Sequence, residues 1–373
     1  MKRLLAPVLI WAVLALEPAA ALAAEGEPPA TGAASLVLMD GDSGRVLHAV
    51  APHRPRLIAS VTKLMTALVA LESGRQLDET VVIRPEWTGI EGSSLYLRAG
   101  ERVTLETLLY GMLLQSGNDA ATAVAGFCGG TVEDFVAAMN RKAARLGMVD
   151  SHFANPSGLN EEGHCASAYD LALLARACLD NETLATMVAT RSVTLEGRTF
   201  TNHNKLLWRY EGCVGLKTGY TERAGRTLVS AARRDGMTLI CVTLNDPGDW
   251  ADHAALLDHG FSAYRREQVA RAGERAGALP VEGSLVPTCP VVYGADGAVA
   301  LSAGERLDRR LVWAEEVPRA PLRRGERLGE AVYSLDGREV LRVPLVAGQD
   351  VPCDAPEAGG LWARLRTALT GGA

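Results

Sequence analysis

Three short motifs in the chain combine serine hydroxyls with lysine amines, the groups that nucleophilic catalysis by an activated serine requires. In chain order they are Ser60-Val61-Thr62-Lys63, Ser116-Gly117-Asn118 and Lys217-Thr218-Gly219. Lysine is otherwise rare, since the chain has 5 lysines and 33 arginines. A guanidinium stays charged near neutral pH, whereas an amine can give up its proton. Lysine in two of the three motifs therefore indicates proton transfer.

The first motif is predicted to open a helix. Ser60 precedes an apolar run over residues 64–71, with no Gly or Pro before Gly74, and this pattern is typical of a buried helix. Lys63 then lies one turn after Ser60 on the same helix face. Taken alone, Ser60 fits an ordinary N-cap and Lys63 a solvated helix residue. The other two motifs favour a nucleophile and its base.

In this interpretation Ser60 is the nucleophile and Lys63 is the general base. Lys63 can take the serine proton only if its pKa is lowered, and burial together with the nearby charge of Lys217 would lower it. The oxyanion formed by the attack needs backbone N–H donors. We predict that these are the amide of Ser60, at the start of the helix, and the amide of Tyr220.

The second motif is predicted to handle the leaving group. Ser116 would relay a proton to the leaving amine, and Asn118 would hold the substrate backbone. Both residues directly precede a helix predicted over residues 120–125. Either side chain could therefore cap that helix instead.

The third motif is predicted to lie on a sheet strand over residues 214–218. Residues 226–232 and 237–244 read as two further strands, joined by the hairpin signal Asp235-Gly236. Lys217 and Thr218 place a cation and a hydroxyl where a terminal carboxylate would bind. We expect Lys217 to belong to the catalytic group, and the residues that follow it to bind substrate: Thr218, Gly219 and Tyr220.

The motifs and their surroundings resemble the D-alanyl-D-alanine carboxypeptidases, the low-molecular-mass penicillin-binding proteins of peptidase family S11. The resemblance runs over residues 35–261 and reaches past the three motifs. The further stretches that carry it are residues 35–48, 58–66, Asn155-Pro156-Ser157-Gly158-Leu159, 202–207, 215–221 and Ala224-Gly225.

The resemblance implies both a fold and a reaction. The fold is an α/β catalytic domain of the serine β-lactamase and penicillin-binding-protein type, an α+β arrangement with helices flanking an antiparallel sheet, followed by a small all-β sandwich domain. The implied enzyme acylates its serine with a peptidoglycan stem peptide, releases the terminal D-alanine and hydrolyses the acyl-enzyme. β-Lactam antibiotics such as penicillins would occupy the same serine as slow substrates.

Two positions depart from the family pattern. Well-studied members often carry His directly after K-T-G, where this chain has Tyr220. They also carry a basic residue farther along, which helps to bind the substrate carboxylate. The corresponding stretch here, residues 245–252, contains neither Lys nor Arg. Carboxylate recognition then depends on Lys217 and Thr218, with Arg226 as a possible substitute for the missing cation.

The first residues predict export. Residues 1–23 have a basic start, an apolar stretch and the small-residue end Ala21-Leu22-Ala23, as in a secretory signal peptide. The alternative is an apolar stretch retained as a membrane anchor, for which it is short. We therefore expect an extracytoplasmic protein, in the cell wall or on the outer face of the cytoplasmic membrane.

Three further segments complete the predicted organisation. Residues 24–266 form the catalytic domain, and residues 267–355 form the β-sandwich, with a hairpin at Asp336-Gly337. Residues 356–373 form a tail in which residues 361–369 carry a short amphipathic pattern suited to a membrane surface. A disordered tail, or a helix packed on the protein, is the alternative. The strand-like runs of the sandwich are residues 291–293, 310–313, 330–334 and 340–346.

Composition narrows the choice of partners. The formal net charge is −6 with no basic block, which argues against nucleic acid. The seven cysteines form no C-x-x-C pair, so we expect no metal site, and no motif calls for a cofactor. Cys289 and Cys353 could form a disulfide in an oxidising compartment. We interpret His164 and His203 as local hydrogen-bonding residues.

Three other functions share some of these features. A β-lactamase uses the same motifs but often needs a carboxylate base for deacylation, for which Glu161 and Glu162 are the candidates. These two residues lie in what reads as an exposed turn, and the extra β domain is foreign to that class. A non-catalytic wall-binding module would have no use for an activated serine. A transpeptidase would share the acylation step and differ only in the acceptor of the acyl group. The sequence does not exclude this function.

Overall fold

The computed structural model describes residues 26–354. Its helices are α1 (Lys63–Leu71), α2 (Leu105–Leu114), α3 (Asn118–Gly129), α4 (Val132–Leu146), α5 (Ala168–Asp180), α6 (Glu182–Ala189), α7 (Leu206–Arg209) and α8 (Asp249–Ala263). Its strands are β1 (Ser35–Asp40), β2 (Val46–Val50), β3 (Thr80–Val82), β4 (Arg102–Thr104), β5 (Ser192–Leu195), β6 (Arg198–Thr201), β7 (Cys213–Thr221), β8 (Gly225–Arg234), β9 (Met237–Leu244), β10 (Tyr264–Ala270), β11 (Arg275–Pro280), β12 (Thr288–Tyr293), β13 (Gly297–Ser302), β14 (Asp308–Trp313), β15 (Arg327–Leu335) and β16 (Arg338–Ala347).

A five-stranded antiparallel sheet with the order β2-β1-β9-β8-β7 organises the first part of the chain. Successive side chains of a strand point to opposite faces. Val37 and Met39 of β1 therefore pack into the core formed with α1 to α6, whereas Leu36 and Leu38 pack on the face covered by α8. Both faces are buried, and the predicted antiparallel sheet flanked by helices is confirmed.

Helix α1 passes through the middle of the larger core. Its apolar sequence, free of Gly and Pro, makes every residue from Lys63 to Ala70 buried. A 3-10 turn, Ala59–Thr62, leads into it. Because Lys63 is the first residue of α1, its amine enters the core at the end of the helix that adjoins Ser60.

The strands and hairpin predicted beside the third motif are present. Strand β9 has the predicted bounds, and β7 and β8 extend the predicted runs by a few residues. Asp235 and Gly236 have φ values of 49° and 78°, the two positive values that a type I′ hairpin turn requires. The turn aligns β8 with β9, and β8 in turn pairs with the K-T-G strand.

The C-terminal part is built from strands. A five-stranded sheet of order β11-β12-β16-β15-β14 encloses its own apolar core, and β10 pairs with β13 in a separate two-stranded sheet. The four predicted strand-like runs lie within β12, β14, β15 and β16. Asp336 and Gly337 form the turn between the last two, with φ values of 48° and 75°. The predicted fold class, a mixed catalytic domain followed by a β-rich domain, is confirmed.

A polar cluster joins the C-terminal part to the hairpin of β1 and β2. Arg45 donates to Glu305 at 2.8 and 2.5 Å and to the carbonyl of Ala300 at 2.6 Å. The amide of Ala300 donates to Asp40 Oδ2 at 2.9 Å. These contacts involve none of the residues of the three motifs.

The predicted signal peptide (residues 1–23) and tail (residues 356–373) lie outside the described residues. Within residues 26–354, no helix combines the length and the apolar composition needed to cross a membrane. Cys289 is buried, Cys353 is exposed and both thiols are free, so the disulfide considered between them is not formed.

Candidate active site

Ser60 and Lys63 lie side by side at the start of α1. Lys63 Nζ is 2.8 Å from Ser60 Oγ, 2.7 Å from Asn118 Oδ1 and 2.6 Å from the carbonyl of Ser157. The 3-10 turn has Ile58 at its N-cap position and no side-chain cap. The alternative in which Ser60 caps the helix is therefore wrong, and so is the alternative of a solvated Lys63, which is fully buried.

The three neighbours of Lys63 decide how a neutral amine would be oriented. Asn118 Oδ1 and the Ser157 carbonyl can only accept hydrogen bonds, so they take the two protons of a neutral amine. The remaining lone pair of Nζ then faces the Ser60 hydroxyl, which is the arrangement that proton transfer from oxygen to nitrogen requires.

The surroundings of Lys63 favour the neutral amine. Burial, and then the charge of Lys217, lower the pKa of Lys63 well below its usual value, while Asp119 acts in the opposite direction. The Asp119 carboxylate is already occupied, because it accepts from the amides of Leu95 and Leu97 at 2.9 and 3.1 Å. Desolvation therefore outweighs the one nearby opposite charge.

The second motif lies at the start of α3. The helix begins at Asn118 with Gly117 as its N-cap and no side-chain cap, so neither Ser116 nor Asn118 has the capping role that we considered. Asn118 instead bonds to Lys63 and donates from Nδ2 to the carbonyl of Glu91 at 2.6 Å. Ser116 has a φ of 64°, a left-handed conformation that is strained for a residue with a side chain.

The third motif lies on β7 beside the nucleophile turn, which is the 3-10 turn Ala59–Thr62 that contains Ser60. Lys217 is 1% exposed, its Nζ donates to the carbonyl of Thr218 at 2.9 Å, and burial lowers its pKa to about 7. A Cβ on Gly219 would lie 2.4 Å from Thr227 Oγ1 and 3.0 Å from the amide nitrogen of Ser60. Glycine at this position therefore allows the strand to approach the Ser60 amide closely.

A cleft of about 310 Å³ opens above these groups. Ser60, Ser116, Thr218, Gly219 and Tyr220 line it, whereas Lys63, Asn118 and Lys217 are buried. The cleft thus brings together the hydroxyls and strand residues of all three motifs. Its other lining residues are Ser93, His203, Lys205, Arg226, Asp249 and Trp250.

Residues 154–164, a segment that we did not predict as functional, form hydrogen bonds that fix the nucleophile turn. The amide of Ala154 donates to His164 Nδ1 at 3.1 Å, so the ring proton must lie on Nε2, which is 2.8 Å from Thr62 Oγ1. Thr62 in turn donates to the carbonyl of Ala59 at 2.8 Å. Burial lowers the pKa of His164 to about 4, which keeps the ring neutral and this chain of bonds intact.

The same segment contacts α1 at two further points. The carbonyls of Pro156 and Ser157 accept from Thr66 and Lys63. The Asn155 to Leu159 stretch of the resemblance was the available signal, but it did not reveal that backbone carbonyls make the contacts. Our interpretation of His164 as a local hydrogen-bonding residue is confirmed. His203 lines the cleft, and its backbone amide donates to the carbonyl of Leu114 at 3.1 Å.

The two glutamates considered for a β-lactamase lie outside the cleft. Glu161 and Glu162 are exposed, and Glu161 accepts a hydrogen bond from Asn155 at 2.9 Å. Neither residue is among those that line the cleft.

Among residues 26–354, no group of three or more His, Cys, Asp or Glu side chains is placed to hold a metal ion.

Comparison with known proteins agrees with this geometry. Residues 22–248 match the family model of the peptidase S11 D-alanyl-D-alanine carboxypeptidases, and residues 264–353 match that of the penicillin-binding protein 5 C-terminal domain. The D-alanyl-D-alanine carboxypeptidase DacF of Bacillus subtilis is 31% identical, with 94% of this chain and 95% of the relative covered. The Escherichia coli enzyme DacD is 34% identical, with 87% and 82% covered.

A solved structure shows the same two-part architecture. Penicillin-binding protein 5 from Haemophilus influenzae superposes with a TM-score of 0.76 at 29% identity, and the match covers 87% of this chain and 99% of that protein. The two family models together match both parts of the chain. The chain therefore belongs to peptidase family S11, the D-alanyl-D-alanine carboxypeptidases, and is a serine hydrolase.

Proposed function

We propose that this protein removes the terminal D-alanine from peptidoglycan stem peptides through an ester formed on Ser60. The observation that supports the proposal most strongly is the buried amine of Lys63, 2.8 Å from Ser60 Oγ. A serine hydroxyl needs such a base to become a nucleophile. The lowered pKa of Lys63 supplies the neutral amine that can act as that base.

These positions support the following acylation step. Ser60 Oγ attacks the carbonyl carbon of the penultimate D-alanine, and its proton passes to Lys63 Nζ. The amides of Ser60 and Tyr220 stabilise the negative oxygen. When the C–N bond breaks, the leaving amine takes the proton from Lys63 by way of the Ser116 hydroxyl, and D-alanine departs.

Deacylation repeats the same chemistry with water. Lys63 takes a proton from a water molecule that attacks the ester carbon, and it returns that proton to Ser60 Oγ as the C–O bond breaks. Thr218 binds the terminal carboxylate until D-alanine departs, Gly219 contacts the substrate backbone in both steps, and Asn118 orients Lys63 through its Oδ1. A β-lactam would follow the acylation step and leave a slowly hydrolysed ester on the same serine.

Two measurements test this function. Treatment with benzylpenicillin should give one adduct on the Ser60 peptide by mass spectrometry, and an adduct that persists in Ser60→Ala would refute the assignment.

The purified protein should release D-alanine from a pentapeptide and hydrolyse a chromogenic cephalosporin only slowly. Rapid cephalosporin turnover without D-alanine release would indicate a β-lactamase, and transfer of the acyl group to an added amine would indicate a transpeptidase.

We also propose that the protein acts outside the cytoplasm. The sequence pattern of residues 1–23 supports cleavage and export, and residues 24–266 and 267–355 would then form the mature catalytic and β-sandwich domains. The pattern of residues 361–369 supports contact with a membrane surface. Deletion of residues 360–373 should move the protein from the membrane to the soluble fraction without loss of activity, and unchanged fractionation would rule out that role.

A further inference from the structure

The exposed Tyr and Trp side chains gather around the catalytic cleft. In the described part of the chain they are Tyr96, Trp208 and Tyr220, which are 83%, 47% and 64% exposed. Tyr220 lines the cleft itself. Tyr96 comes three residues after the lining residue Ser93, and Trp208 three residues after the lining residue Lys205. Each exposed ring therefore belongs to a segment that forms part of the cleft.

Tyr96 lies at the apex of a tight arch, Ser94 to Leu97. The carboxylate of Asp119, which is 1% exposed, accepts from the amides of Leu95 and Leu97 at 2.9 and 3.1 Å. Ser94 Oγ accepts from the amide of Tyr96 at 2.9 Å and donates to Asp119 at 2.6 Å. Leu95 and Leu97 are buried, so the ring between them is directed away from the core and its backbone is fixed.

The backbone of Tyr96 adopts a conformation that is unfavourable for its side chain. Its φ is 57°, in the left-handed region that glycine and asparagine tolerate and bulky residues avoid. Such strain persists only where the surrounding contacts enforce it, and it occurs preferentially at functional sites. Within residues 26–354 this side chain makes no hydrogen bond, ring stacking or cation contact. A strained, exposed aromatic ring without a partner in the fold indicates contact with a ligand.

Trp208 is presented to the same cleft by α7. Lys205 is the N-cap residue of this helix, and residues three positions apart share a helix face. Because Lys205 lines the cleft, the indole of Trp208 lies on the cleft side of α7. Leu206 and Leu207 are buried and fix the short helix to the core. The indole itself has no side-chain partner in the part of the protein that the structure describes.

Strand β6 connects the two ring-bearing segments. At its start, Arg198 donates from Nη1 to the carbonyl of Leu95 at 2.9 Å. Two residues after its end, His203 lines the cleft, and its amide donates to the carbonyl of Leu114 at 3.1 Å. The two rings therefore lie along one wall of the cleft, with β6 between them.

The surroundings of the two rings indicate what kind of ligand they fit. Contact with a bilayer or a protein partner generally requires a continuous apolar patch. Here the rings are separated, and exposed polar side chains adjoin each of them, Arg98 beside Tyr96 and both Lys205 and Arg209 beside Trp208. A sugar ring has an apolar C–H face that stacks on an aromatic ring, and polar groups at its edge that need hydrogen-bond partners. Aromatic rings with polar neighbours match both requirements.

We propose that Tyr96 and Trp208 bind sugar rings of the glycan strand to which the stem peptide is attached. The inference rests on the proposed function, because that function defines a substrate that carries a glycan. A repeating polymer can contact two rings along one wall. The two residues would then make the enzyme prefer glycan-attached stem peptides to free peptides, without taking part in the chemistry at Ser60.

The test compares two substrates with the same pentapeptide ending in D-Ala-D-Ala. One is the free peptide, and the other is the peptide attached to an amino-sugar disaccharide of the glycan strand. The readout is the ratio of kcat/KM for the glycopeptide to that for the free peptide, so any general loss of activity cancels. The wild type should prefer the glycopeptide. Tyr96→Asn, which tolerates the left-handed backbone, and Trp208→Ala should each lower the ratio about 5- to 30-fold, a usual effect of truncating an aromatic contact.

Matched variants separate stacking from other effects. Tyr96→Phe and Trp208→Phe keep a ring and should keep most of the preference. Val149 is 84% exposed and is not among the residues that line the cleft, so Val149→Ala should leave the ratio unchanged. A wild-type ratio near one, an unchanged ratio in either Tyr96→Asn or Trp208→Ala, or an equal fall in Val149→Ala would overturn the inference.

Penicillin acylation tests whether the substitutions disturb the catalytic groups. A β-lactam carries no glycan, so Tyr96→Asn and Trp208→Ala should acylate Ser60 at the wild-type rate. A fall in acylation that parallels the fall in glycopeptide turnover would overturn the inference, because it would trace the loss to the catalytic groups rather than to sugar binding.

The wild-type protein separates this inference from the proposed function. If it releases no D-alanine from either substrate and forms no penicillin adduct on Ser60, the proposed function fails. If it does both and uses the two substrates with equal efficiency, only the binding of glycan by Tyr96 and Trp208 fails.

Discussion

We expect replacement of Lys217 by Met to stabilise the fold at acidic and neutral pH. Lys217 is fully buried, and burial lowers its pKa from 10.5 to about 7. Each pKa unit corresponds to about 1.4 kcal/mol, so a charged Lys217 destabilises the folded state by up to about 5 kcal/mol. Removal of the hydrogen bond to the Thr218 carbonyl costs about 1 kcal/mol. The net gain at pH 6 is then about 4 kcal/mol.

The pH dependence of this gain identifies its cause. Between pH 7 and 10.5 the unfolded state keeps the Lys217 proton and the folded state does not, so wild-type stability rises with pH over this interval. Below pH 7 both states are protonated and the full penalty applies. The advantage of Lys217→Met should therefore be largest at pH 6 and close to zero near pH 10.

Thermal unfolding measured by circular dichroism provides the assay. A gain of about 4 kcal/mol corresponds to a rise in Tm on the order of 10 °C at pH 6 for a unit of this size. The exposed Lys205 is the matched control, and Lys205→Met should change stability by less than about 0.5 kcal/mol. Equal Tm values for wild type and Lys217→Met at pH 6, or the same gain at pH 6 and pH 10, would refute the reasoning.

Three further predictions follow from the site. Lys63→Arg should lower the rate of penicillin acylation by at least about a thousandfold, because a guanidinium cannot take the Ser60 proton near neutral pH; stopped-flow acylation above a tenth of the native rate would point to another base. Gly219→Ala should lower acylation by about a hundredfold or more, because its Cβ would lie 2.4 Å from Thr227 Oγ1 and 3.0 Å from the Ser60 amide; Gly277→Ala, whose Cβ meets only an atom 4.0 Å away, is the control with native activity. The wild-type protein should lose up to about 3 kcal/mol more stability than His164→Gln when the pH falls from 6.5 to 4. Over that range the unfolded state takes up a proton at His164, whereas the folded ring, with a pKa of about 4, does not. Denaturant titrations at several pH values measure this difference, and parallel stability curves for the two proteins would contradict it.

The parts of the fold that the sequence predicted are those with short-range signals. Alternating strands joined by Asp-Gly turns gave β8, β9, β15 and β16 correctly, because positive φ at both central residues leaves few other choices. The helix after Ser60 was predictable from an unbroken apolar run. The spacing of S-x-x-K also predicted the Ser60–Lys63 contact, since it depends on only one helical turn.

Other parts of the site depend on contacts that leave no local pattern. The Ser157 carbonyl bonds to Lys63 across 94 positions, and a backbone acceptor has no residue type by which it can be recognised. The left-handed conformation of Ser116 could not be predicted either, because serine, unlike glycine, does not indicate a positive φ. Arg226 bonds to Asp249 across 23 positions, and no local pattern in the sequence indicates this pairing.

The same burial that suits the two lysines to catalysis also destabilises the protein. Lys63 and Lys217 have lowered pKa values chiefly because they are desolvated, and their charged forms are disfavoured for the same reason. Arginine in either position would remain charged, so it would carry the full desolvation penalty of a buried charge, which a neutral amine avoids. It would also be unable to exchange a proton near neutral pH. The apolar core around α1 must therefore offset the cost of two buried amines. This explains why lysine occupies these two positions in a chain in which most basic residues are arginine, and why their replacement is expected to trade activity for stability.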